Sequence, residues 1–69
     1  MDSNKIKEIA SQLFLSKGLS NLIIDDLRKI KNKNVTRISL LNDIENNLLD
    51  LEECVKNAKS VYFDMISNK

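Results

Sequence analysis

The chain has 69 residues, 30% of them charged, a formal net charge of +1, one cysteine, one glycine, and neither histidine nor proline. A lone cysteine excludes an intramolecular disulfide, the absence of histidine removes a Cys/His zinc site, and the balanced charge favours neither nucleic acid nor a strongly charged partner. A chain this short makes one domain, residues 1–69, near the lower size limit for independent stability, so association is the remaining route to a larger core.

Asp2 and Ser3 are good N-cap residues, and Ile6, Ile9, Ala10, Leu13 and Phe14 follow at helical spacing. Two continuations are open. Gly18, followed by the apolar Leu19, has the sequence form of a Schellman cap. A second helix would then start near Ser20 or Asn21 with Ile23, Leu27 and Ile30 on its inner face. Alternatively the helix runs on through Gly18 at a cost of about 1 kcal/mol. Its seam is then Ile6, Ile9, Leu13, Ser16, Ser20, Ile23, Leu27, Ile30, an unbroken heptad.

Asn32-Lys33-Asn34 is a turn signal, because asparagine tolerates left-handed backbone and competes for local hydrogen bonds. Thr36 caps the next helix, expected over about residues 36–66, where no proline or glycine forces a stop. Leu41, Ile44, Leu48, Leu51, Val55, Ala58, Tyr62 and Met65 alternate spacings of three and four along it. About 32 helical residues make a rod of about 48 Å. The spacing predicts that Leu41, Ile44, Leu48, Leu51, Val55, Ala58 and Met65 are buried on one side. Such a rod is too long for a 69-residue chain to cover alone, so the seam points to a partner. The expected architecture is all-α: a helical hairpin with a long C-terminal helix and an N-terminal arm broken or kinked near Gly18. A compact three-helix domain is the alternative.

Leu15, Leu19 and Leu22 form a second apolar stripe at i, i+4, i+7. With Phe14 and Phe63 they are the candidate partner-binding residues, in the helix-in-groove mode. If the chain breaks at Gly18, the same stripe instead joins one internal core. Arg28, Lys29, Lys31, Lys33 and Arg37 put five cations around the turn. They either complement a helix C-terminus and solvate the loop, or contact phosphates or an acidic partner. Cys54 flanks the long seam as a small apolar residue, and Tyr62 and Phe63, being adjacent, project in different directions. Asp25-Asp26 and Glu52-Glu53 are poor acid–base dyads, since neighbours on a helix diverge by about 100°. With no nucleophile–base pairing and no phosphate loop, the chain is expected to be neither an enzyme nor a cofactor or metal protein. The N-terminus lacks the apolar core of a secretory signal and no run approaches the ~18 apolar residues of a membrane span, so a cytoplasmic protein is expected.

Two resemblances add to this reading. The segment from Glu53 to Tyr62 is similar to the C-terminal helix of the small bacterial co-chaperones of type III secretion needle subunits, with Ala58 at the seam alanine of that family. The resemblance implies a helical hairpin that joins a second, larger chaperone and keeps a polymerising subunit monomeric in the cytoplasm. Ile6, Ile9-Ala10, Leu13-Phe14, Lys17-Gly18 and Asp26-Leu27 resemble the first helices of TetR-like DNA-binding domains, although Arg28 stands where a small residue is expected. That second resemblance implies a recognition helix opening at Val35-Thr36, with Arg28 to Arg37 near phosphates. The favoured expectation is a protein-binding adaptor or co-chaperone. The runner-up is a small helix-turn-helix regulator that binds nucleic acid, and a self-associating hairpin bundle stands third.

Overall fold

A computed structural model describes residues 3–33 and 37–67. Helix α1 spans Ser3–Lys33 and helix α2 spans Ile38–Ser67, and the two fold back on one another as a hairpin. The expected cap at Asp2, the turn residue Asn34, and the Val35-Thr36 start of the second helix lie outside the described residues. Within them, the amide of Leu41 donates to the Arg37 carbonyl at 3.1 Å. Arg37 therefore holds the N-cap position of α2, where its carbonyl accepts the first helical bond.

The N-terminal arm does not break. α1 is one uninterrupted helix of 31 residues through Gly18, which also removes the three-helix alternative. The physical reason is register: the rows of inward residues before and after Gly18 belong to one heptad, so a continuous helix packs both against the same neighbour. That gain outweighs the ~1 kcal/mol propensity cost of one glycine. Gly18 faces solvent, and a Cβ built on it meets nothing within 4 Å. Gly18→Ala is therefore expected to stabilise the hairpin by about 1 kcal/mol. An unchanged or lowered urea midpoint would show that the position needs its glycine.

The hairpin is one helix layer thick. Its Cα extents are 52 × 14 × 12 Å and its radius of gyration is 15.8 Å, against about 11 Å for a compact domain of this length. Its interior is correspondingly thin. Among the described residues only Ile23 and Ala58 are buried apolar side chains, at 8% and 6% exposure, and Ser16 is the buried polar one. The Ser16 hydroxyl is satisfied by donating to the Gln12 carbonyl at 2.8 Å. Ser16 and Ala58 lie within about one helical turn of the same level, counting back from the turn at 1.5 Å per residue.

The two helices meet on a rotated version of the expected seams. One row of each seam faces inward: Ile9, Ser16, Ile23 and Ile30 on α1, and Ile44, Leu51, Ala58 and Met65 on α2, all buried or half-buried. The rows that complete the contact are Lys5, Gln12, Leu19 and Asp26 on α1, and Leu40, Asn47, Cys54 and Val61 on α2, all half-buried. The other seam row is left open. Leu41, Leu48, Val55 and Tyr62, expected to face inward, are 45–48% exposed, and Ile6, Leu13 and Leu27 are 45–52% exposed. A helix with a single neighbour covers only one arc of its surface. Here the covered arc of α2 includes Asn47 and Cys54 beside Leu40 and Leu51, while the seam leucines Leu41 and Leu48 fall outside it.

Candidate protein-binding faces

In an antiparallel helix pair, the row four residues after the central row lies on the same side of the hairpin for both helices, and the row one residue before it lies on the other. The hairpin therefore has two unlike sides. The first, here the broad apolar side, gathers Ile6, Leu13 and Leu27 from α1 with Leu41, Leu48, Val55 and Tyr62 from α2. Phe63 extends it around α2: its ring meets that of Tyr62 edge to face, with centroids 5.5 Å apart and planes at 68°, a favoured aromatic geometry. The adjacent aromatics thus project differently along the helix yet act as one patch.

The second side is mixed on α1, where exposed Glu8 and Lys29 flank two leucines in the same row, and acidic on α2. α1 contributes Leu15 and Leu22, 55% and 54% exposed. α2 contributes Asp43, Asp50 and Asp64, all exposed, at seven-residue steps and their multiple. Leu19 lies between these edges but is half-buried against the hairpin interior, so it forms the floor of this side rather than a free contact. Phe14 is the most exposed of the expected partner-binding residues, at 76%, and lies toward the outer back of α1. The five residues named from sequence therefore do not form one patch: Leu15, Leu19 and Leu22 share the acidic side, Phe63 borders the broad apolar side, and Phe14 stands apart.

Spacing alone had not identified the broad side as a surface, because its residues read as core. The signal that finds it is the count of neighbours. Each helix carries a seam two rows wide, interrupted on α1 by Ser16 and Ser20, and one sister helix covers mainly one of the two rows.

The cations around the turn are also divided. Lys29, Lys33 and Arg37 line one shallow recess with Ser39 and Leu40, while Arg28 and Lys31 are exposed elsewhere on α1. Lys29 Nζ lies 3.9 Å from an oxygen of Asp26, one turn earlier. Lys31 and Lys33 sit in the last turn of α1, where cations complement the helix dipole. Arg37 does the opposite. It places a cation and a side chain with no acceptor at the start of α2, whose first turn holds no acid. Arg37→Asp is expected to stabilise the hairpin by about 1 kcal/mol, read as a higher urea midpoint. No change would mean that neither a side-chain acceptor nor a negative charge at this position matters to α2.

Cys54 is a free, half-buried thiol in the inner row of α2. Among the described residues there is no cluster of three or more Cys, Asp and Glu placed to hold a metal ion, and no helix long and apolar enough to cross a membrane. Compared with known proteins, the chain matches no family model, no curated protein and no solved structure.

Proposed function

We propose that the chain is a non-enzymatic helical adaptor or co-chaperone that binds a protein partner through the apolar faces of its hairpin. The observation that carries this reading is the pairing of exposed Leu15 and Leu22 with the facing row Asp43, Asp50 and Asp64. A side with two exposed leucines on one helix and a row of carboxylates on the other suits an amphipathic helix that has an apolar stripe and a basic edge. Leu19 closes its floor. The resemblance of the Glu53–Tyr62 segment to needle-subunit co-chaperones supports a specific setting, cytoplasmic capture of a secretion subunit in a bacterium. The alternative regulator has less support: it needs a separate recognition helix opening near Val35, and residues 38–67 form a single helix.

The test is recovery of partner from the native cell by tagged wild type and by the double variant Leu15→Asp/Leu22→Asp, each at low and high salt. The expected result is a stoichiometric protein partner, retained at high salt and lost in the variant, because two carboxylates would be desolvated against an apolar stripe. Steeply salt-dependent binding to DNA, abolished instead by alanines at Lys31, Lys33 and Arg37, would replace this reading with the regulator.

A further inference from the structure

We infer that the broad apolar side is covered by a second copy of this chain, the two hairpins stacking face to face as a four-helix bundle. The inference goes beyond the adaptor reading and concerns the opposite side of the hairpin. Its starting point is where the sequence seams aim. On each helix the seam comprises the inward central row and the open row, so its midline points neither at the sister helix nor straight out. It points between the sister helix and the open side. That is the direction of the core in a bundle of four helices, where every helix has two neighbours roughly at right angles and its apolar arc faces the centre.

The occupant must supply two long helices with matching apolar rows. A second hairpin has both, with the same 52 Å length. The surface area agrees. A monomeric globular protein of 7.9 kDa exposes about 4,400 Å² by surface–mass scaling. This chain exposes 5509 Å². The excess, about 1,100 Å², exceeds the ~800 Å² per partner of a standard stable interface. Domains bury their cores between at least two layers of secondary structure, and the hairpin is only one.

Charge decides which side takes the copy. On the acidic side each copy carries Glu8, Asp43, Asp50 and Asp64 against the single cation Lys29, so a twofold contact there would bring like charge together and bury carboxylates without partners. On the broad side both helices present apolar rows, so either stacking direction is self-complementary, as an isologous contact requires. The net charge of +1 per chain opposes the pairing little.

The experiment is sedimentation equilibrium of the full chain from 1 to 100 µM, with thermal melting across the same range. The expected mass is twice 7.9 kDa. The melting midpoint should rise by about 5 °C per tenfold in concentration, the shift that mass action gives for a dimer of this size at ~0.7 kcal/mol per residue of unfolding enthalpy. Leu48→Asp should reduce the mass to that of a monomer, whereas Asn57→Asp, which adds the same charge to the other side, should leave it doubled. Because a chain that depends on pairing can unfold when Leu48→Asp removes it, the wild-type concentration dependence stands as an independent measure. A folded wild-type monomer at 100 µM with a concentration-independent melt would overturn the inference. So would a dimer that survives Leu48→Asp and is lost in Asn57→Asp. Neither result touches the adaptor reading, which is judged on partner recovery through Leu15 and Leu22.

Discussion

Ile23→Ala is expected to cost about 2–5 kcal/mol, a large share of the net stability of a chain this size. Ile23 is the larger of the two buried apolar side chains among the described residues, at 8% exposure, and it sits mid-hairpin, where truncation leaves a hole between the two backbones. The cost combines lost transfer free energy with the cavity left behind. The informative comparison is Leu48→Ala. In a lone hairpin Leu48 is 48% exposed, so truncating it should cost about 1 kcal/mol, well below the Ile23 variant. In a bundle Leu48 becomes core, and the two costs converge. Urea titrations followed by helical circular dichroism, at one dilute and one concentrated condition, read both. Equal and small effects from both variants at every concentration would mean that the central row is not the core.

Ala58→Asp is expected to be at least as damaging, by about 3–5 kcal/mol, because it leaves an uncompensated charge where Ala58 is 6% exposed. Burial raises the pKa of the introduced carboxyl in the folded state above its unfolded value of ~3.9. The sign of the pH dependence follows. The folded form holds the proton more tightly, so the penalty is complete above the raised folded pKa. It shrinks as pH falls toward ~3.9, where the carboxyl is neutral in both states. Ala58→Leu provides the control. It overfills the buried Ala58 site, at a cost of about 1–3 kcal/mol, with no pH dependence beyond that of wild type. Melts of the three proteins at pH 7 and near pH 4 separate charge burial from crowding. An Ala58→Asp protein as stable as wild type at pH 7 would place Ala58 at the surface.

These effects are large because the hairpin has little else to hold it. No described side chain is fully buried, while each ordered residue carries about 1.5 kcal/mol of entropy against folding. Removing a single central residue therefore removes a sizeable part of the net stability. Changes on the outer faces should instead alter association.

The sequence by itself determined that the chain is helical, that two apolar seams of heptad spacing run along it, and where the second helix begins and ends to within about two residues. Those features are local: they depend on side-chain period and on the absence of proline, whereas the turn signal at Asn32-Lys33-Asn34 came early, since Asn32 and Lys33 still belong to α1. It also marked Ile23 and Ala58 as inward and Leu15 and Leu22 as a stripe apart from the main seam. Only the tertiary structure decided that Gly18 is passed over, because the choice depends on whether both halves of α1 pack on one neighbour. It likewise decided how the helices rotate about their axes. A heptad read along one chain fixes which residues share a stripe, but a stripe spanning two rows fits either one neighbour head on or two neighbours at an angle. Leu41, Leu48, Val55 and Tyr62 look the same in sequence under either packing. Their exposure near one half shows that within one chain the sister helix covers only one row of the stripe.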